Sequence, residues 1–266
     1  MSLSPIFTCS TSDLYTLAAL LGGEMLLGLP DPFPGWLHEE IVAAMQKSQQ
    51  HLTERGWLAP HPGGGVTMDV LPAALVGAMV QPQSVFLFTI SEGSQPPQQQ
   101  TFYLRPPLTV HLQAVGEDWQ LSPLEAAEIL PRIEKAWALQ GQKAGRGERL
   151  EFPQAALERG WAAREQGEAA VLEALRADWL SAAQARLLAR LLSGAVRRSA
   201  VVALRRRGEG WETDGLAMLA GPAGLWKLRA LTRSLEERVE AQPLSASALR
   251  ADLRALVTRF LPAEVA

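Results

Sequence analysis

The chain has 266 residues, a formal net charge of −3 and a pI near 5.9. With 47% hydrophobic and 20% charged residues it has an ordinary globular composition and enough apolar mass for a core without disulfide or metal staples. The acidic balance argues against nonspecific binding to a phosphate backbone. A single cysteine, Cys9, excludes an intramolecular disulfide and a cysteine-rich metal site, so a reducing cytoplasm is the expected compartment.

No basic stretch followed by a long apolar run opens the chain, so no secretory signal is expected. The apolar segment 14–29 is interrupted by Glu24, Gly22, Gly23 and Gly28. It falls short of the ~20 residues that cross a bilayer and predicts a buried helix capped by Ser12 and Asp13. Three prolines and a glycine end it at 30–35. A second helix is predicted over 36–55, with Gly56 beyond its end. A flexible Gly63-Gly64-Gly65 loop follows, then a third helix from Thr67 and Asp69 to Met79.

Residues 84–90 (SVFLFTI) predict a central strand covered on both faces, because their apolarity is nearly continuous. A polar loop over 91–100 leads to strands at 101–104 and 110–115, a turn at Gly116, and a return strand at 119–121. Ser122-Pro123-Leu124-Glu125 has the form of a capping box with proline at the first helical position, and predicts a helix to about residue 140. Helical patterns recur at 154–166, 169–179 and 181–193. A second buried strand is predicted at 199–204 (SAVVAL), followed by strands at 211–219, 225–231 and 239–242. Ser245 caps a closing helix with Leu249, Leu253, Leu256 and Val257 on one stripe.

This order repeats. Ser84 and Ser199 open matching strands, an offset of 199 − 84 = 115, and Ser122 and Ser245 open matching helices, an offset of 245 − 122 = 123. The expected fold is α+β: two pseudo-symmetric helix–sheet–helix halves around a mainly antiparallel central sheet with flanking helical bundles. The first half spans 1–140, a Gly-rich linker 141–148, and the second half 149–266.

The C-terminal pattern of Gly224, Leu225 and Trp226, followed by Leu244, Ser245, Leu249 and Leu253, resembles the closing unit of the EspG family associated with type VII (ESX) secretion. The doubled α/β order is also similar to that family's pseudo-two-fold arrangement. The resemblance implies a cytoplasmic, non-enzymatic chaperone that holds an aggregation-prone helical client.

The residues themselves point to no catalysis. None of His38, His51, His61 and His111 stands in a metal-binding pair spacing, and no nucleophile elbow or phosphate-binding loop occurs. No catalytic residue, metal or cofactor is therefore expected. Cys9 is expected in a frayed terminus, and the acid pairs Glu117-Asp118 and Glu236-Glu237 at solvated turns. The cationic cluster Arg205, Arg206 and Arg207 is suited to carboxylate or aromatic contacts. With Trp211 and Trp226 it forms the candidate partner-binding set, since exposed Trp and Arg dominate interface energetics.

The first functional reading is thus a protein client or partner subunit, with a homo-oligomer also compatible and no membrane. A winged-helix-like transcription regulator is the second, but its recognition helix, 70–80, carries no Arg, Lys or Asn to read bases, which disfavours nucleic acid. A protein with an uncharacterised small-molecule site beside Arg206, Arg207 or a histidine is the third.

Overall fold

The computed structural model describes residues 6–139, 141–176, 178, 180–195, 197–231 and 237–263. In the first half β1 (Phe7–Cys9), α1 (Thr11–Leu20), α2 (His38–Glu54), a β2 (Leu58–Pro60) and β3 (Val66–Met68) hairpin and α3 (Val70–Val80) precede four strands. These are β4 (Ser84–Glu92), β5 (Gln98–Arg105), β6 (Leu108–Val115) and β7 (Asp118–Leu124), and α4 (Ile129–Trp137) follows. The second half repeats the sequence of elements. β8 (Leu150–Pro153) leads to α5 (Gln154–Ala163), α6 (Glu168–Ala174) and α7 (Ala182–Ser193). Then come β9 (Arg197–Arg207), β10 (Gly210–Gly221), β11 (Gly224–Leu231), β12 (Arg238–Leu244) and α8 (Ala246–Phe260).

Ten strands form one antiparallel sheet in the order β1-β7-β6-β5-β4-β9-β10-β11-β12-β8. Read from either end, the order presents the same elements of the two halves. The halves meet where β4 pairs with β9, with Leu87 opposite Val202. A twofold through that pair carries residue 87 to 202, an offset of 115, the same offset that relates Ser84 to Ser199.

Alternation along the strands divides the side chains between two faces. Phe86, Phe88, Ile90, Val201, Ala203, Leu216 and Met218 point to one face, where α4 and α8 cover them through Ile133, Trp137, Leu253 and Phe260. On the opposite face are two separate cores. Val85, Tyr103 and Leu112 pack under α1, α2 and α3, and Leu219, Trp226, Ala241 and Phe152 pack under α5, α6 and α7. The central strands β4 and β9 are covered by α4 and α8 on one face, while on the other the bundles leave Leu87, Thr89, Ala200 and Val202 half-buried, so the expected cover on both faces is only partly met.

Several sequence expectations are corrected. Ser122-Pro123-Leu124-Glu125 caps no α-helix: Ser122 lies in β7 opposite His111, and α4 starts only at Ile129 after a 3-10 turn at Ala126–Glu128. Strand pairing overrides the local signal. Pro123 is tolerated because β1 pairs only with residues 119–121 of β7, leaving no neighbour to need its missing N–H. The repeat is better aligned at Pro123-Leu124 and Pro243-Leu244, an offset of 243 − 123 = 120, since Pro123 faces Val110 and Pro243 faces Trp226 in equivalent pairs. The first helix is capped by Ser10, with Asp13 completing the box, and ends at Leu20. Cys9 is not frayed. It is buried in β1, and burial together with Asp13 pushes its thiol up to about 12.

The short strands β1, β2, β3 and β8 have too few residues to show a period. The segment 141–148 is no free tether. Ala144 bridges to Leu225, and Gly145 N–H donates to the Leu244 carbonyl at 3.0 Å. A Cβ on Gly145 would stand 2.1 Å from the Leu225 oxygen, so the glycine permits backbone-to-backbone contact. Trp179 and Glu236 lie outside the described residues.

His111 lies 4% exposed on β6, stacked on Phe102 at 4.9 Å, with Nε2 3.2 Å from Gln100 Oε1. Burial, then the positive Arg132, lowers its pKa from 6.5 to about 4. The unfolded chain binds this proton first, so stability falls as pH drops from 6.5 to 4 and this loss levels off below that. The shift corresponds to about 3 kcal/mol. Urea unfolding at pH 7 and pH 4 is expected to show a smaller acid loss for His111→Gln than for the natural chain. Equal losses would refute the assignment.

Candidate functional site

The two helical bundles share one sheet face but do not meet over its centre. Between them the floor consists of Leu87 and Thr89 on β4 and Ala200 and Val202 on β9, all half-buried. These four side chains form two cross-strand pairs, Leu87–Val202 and Thr89–Ala200. The floor is therefore mostly apolar and centred on the pseudo-twofold. At one end, Arg164 next to α5 reaches across to the Gly93 carbonyl in the β4–β5 turn. Its guanidinium also stacks on Trp161, 3.9 Å from the ring centre. At the other end stands the β9–β10 hairpin.

The five residues singled out in the sequence fall into three groups. Arg206 and Trp211 face each other across the β9–β10 pair, on the trough side and exposed. Arg205 and Arg207 are engaged on the other face. Arg205 Nη2 lies 2.7 Å and Arg207 Nε 3.2 Å from Glu212 Oε2. Arg259 of α8 holds the second oxygen of Glu212 at 2.7 Å and Asp214 at 2.8 Å. This cluster ties the end of α8 to the hairpin. Trp226 is 1% exposed in the core under α5, α6 and α7, and its Nε1 donates to the Ala223 carbonyl at 3.3 Å. As a partner contact it is a correction: its indole has no surface to offer, because α5, α6 and α7 cover that part of the sheet face.

The trough floor was missed in the sequence. Its only signal was the small or polar residue at alternate positions of two otherwise apolar runs, Thr89 and Ala200, which reads as ordinary strand variation.

Two cavities bear on the alternatives. One, of about 640 Å³, lies between β1, α1 and α2 and is lined by Cys9, Asp13, Trp36, Lys47, His51 and Arg55. His51 Nδ1 is 3.2 Å from Asp13 Oδ2, but a thiol held near 12 supplies no nucleophile. The other, of about 830 Å³, adjoins β10, β11 and α8 and is not lined by Arg206 or Arg207. Among the described residues no group of three His, Cys, Asp or Glu side chains could hold a metal ion, and no helix is long and apolar enough to cross a membrane. The helix proposed to read DNA, α3, buries Leu75, Val76 and Met79 against the sheet core and exposes Val70, Leu71 and Ala74, none of which can hydrogen-bond a base edge through its side chain.

Fourteen solved chains match this fold. One is the structure of the Mycobacterium tuberculosis type VII secretion system chaperone EspG5 in complex with a PE25-PPE41 dimer, with a TM-score of 0.57. The chain shares its fold with EspG5. The alignment covers 97% of this chain and 98% of that one, at 16% sequence identity. No family model and no curated protein matches the sequence. At this identity the likeness is one of fold, and its near-complete span includes both halves and both helical bundles.

The Glu212 cluster generates a direct test. Its arginine hydrogen bonds, Arg205 foremost, hold the Glu212 carboxyl down from 4.5 to about 2. Its contribution is thus present above pH 4.5 and lost as pH falls through 2. In Glu212→Gln at pH 7, amide exchange over 256–260 is expected to accelerate while that of β4 is unchanged. Unaltered exchange in α8 would show that the cluster does not anchor it.

Proposed function

We propose that the protein is a non-enzymatic, cytoplasmic chaperone-like binding protein that holds a helical segment of a protein client in the trough between its two helical bundles. The observation that carries this reading is the half-buried floor of Leu87, Thr89, Ala200 and Val202, flanked by bundles on one sheet face. An apolar stripe of a helix, about 10 Å across, finds there the hydrophobic groove that helix-in-groove recognition requires. Arg206 and Trp211 supply a cation and an aromatic at the rim, where such residues anchor partners. The fold shared with a secretion chaperone that binds a PE25-PPE41 dimer supports a protein rather than a small molecule as the ligand.

The test is isolation of the tagged protein from its own host, followed by native mass spectrometry and hydrogen exchange. The expected result is a defined complex in which β4, β9 and a helix of the client are protected. Val202→Glu should weaken the complex by about 30-fold or more while leaving near-ultraviolet circular dichroism unchanged. A complex that survives Val202→Glu, or protection confined to other surfaces, would overturn the reading.

A further inference from the structure

The ten-stranded sheet is split within its second half. β10 pairs with β9 along its length, from Gly210 to Ala220. β11 likewise pairs with β12 from Leu225 to Leu231. Between them, however, β10 and β11 pair only from Gly221–Gly224 to Ala217–Leu228. Beyond that point the two strands part. The opening is the cavity of about 830 Å³, lined by Thr213 to Ala217 on one side and Leu228 to Ala230 on the other, with Asp252, Leu256 and Arg259 of α8 beside it.

The backbone groups that face this opening follow from the hairpins. In a two-residue hairpin the closing residues exchange hydrogen bonds, and every second residue along a strand then points the same way. Gly210 closes on Arg207, so even-numbered residues of β10 bond to β9. Gly221 closes on Gly224, so odd-numbered residues of β10 and even-numbered residues of β11 point to each other. Thr213 and Gly215 on one side and Ala230 on the other therefore turn their N–H and C=O groups into the gap. One of these N–H groups is occupied from within: Gly215 N–H donates to Oδ1 of the adjacent Asp214, at 2.8 Å. The other carboxylate oxygen of Asp214 is held by Arg259 at 2.8 Å. A side chain thus stands in for a missing strand.

The side chains differ on the two faces of the gap. On the trough face are Val202 and Leu228, both apolar. On the α8 face are Lys227, Arg229 and Arg259 against Asp214 and Asp252. Lys227 is paired with Asp252 at 2.5 Å. Arg229 has no ion pair among the described residues, because its cross-strand neighbour Glu240 is engaged by Arg149.

We propose that this split is an acceptor site for an extended segment of another protein, added as a strand between β10 and β11. The segment alternates apolar residues, which pack over Gly215 beside Val202 and Ala230, with acidic residues, which meet Arg229 and the Arg259 nitrogen vacated by Asp214. The gap spans about four residues at ~3.3 Å each. Backbone pairing supplies affinity and the alternating side chains supply selection, as in other strand-addition complexes. Asp214 guards the edge while it is empty, a role charged residues take at unpaired strands. The inference goes beyond the helical client: the two openings share Ala200 and Val202, but a helix in the trough would cover Leu87 and Thr89 without pairing to the amide of Ala230.

The probes are two blocked hexapeptides, one alternating valine with glutamate and one alternating valine with lysine, added to the full chain while amide exchange is followed residue by residue. The glutamate peptide is expected to slow exchange at Gly215 and Ala230 by about tenfold or more at saturation, and the lysine peptide to leave both unchanged. Arg229→Glu, on an exposed side chain, should reverse that preference. Asp214→Ala should speed Gly215 exchange in the free protein and tighten the glutamate peptide. The proposal is overturned if neither peptide slows these two amides, if both do so equally, or if protection falls only on the trough floor. The first of these outcomes would leave Asp214 as a guard of the edge and nothing more.

Discussion

Everything in this molecule depends on one antiparallel pairing, β4 against β9. Without it each half would be a sheet of five strands with an exposed apolar edge, a template for uncontrolled strand addition. With it the two edges satisfy one another over nine residue pairs, from Ser84–Arg205 to Glu92–Arg197. The same pairing sets the side-chain alternation. Phe86, Phe88, Val201 and Ala203 all turn to the face that α4 and α8 cover, so the two closing helices share one core although they end different halves.

The proposed docking surface is a consequence of the same symmetry. Each half places its helical bundle on the face opposite its closing helix. A twofold at Leu87–Val202 puts the bundles on either side of the axis, and the ground between them is left for something else. The second half then departs from its copy. β10 runs to twelve residues against eight in β5, and it parts from β11 beyond Ala217–Leu228. The charged cluster of Arg205, Arg207, Glu212, Asp214 and Arg259 sits beside that opening and fixes the end of α8 there. Scaffold and openings are thus made by the same strands.

Much of this was legible in the chain itself, for reasons that are local. The runs SVFLFTI and SAVVAL announce central strands by their near-continuous apolarity, although one face stays open at Leu87 and Val202, and Ser245 announces α8 because its hydroxyl accepts the Ala248 N–H at 3.2 Å. The candidate site was legible only in part. Arg206 and Trp211 do face outward together, but Arg205 and Arg207 are held by Glu212, whose position five to seven residues away across a hairpin carries no pattern of its own. Trp226 looked equal to Trp211 in sequence, yet both turn to the same sheet face and only Trp226 lies under α5, α6 and α7.

The sequence alone determined the α+β class, the doubling, the central strands and the closing helix, because those follow from periodicity and caps within a dozen residues. Tertiary structure decided the rest. It drew Ser122-Pro123-Leu124 into β7, where pairing with Thr109, Val110 and His111 outweighs a capping signal. It buried Cys9 and pinned Ala144 to β11 and Gly145 to β12. It also left two openings, the trough and the split, whose walls come from strands more than a hundred residues apart or from pairs that stop early. Such gaps are properties of how elements meet, and no local stretch of chain encodes them.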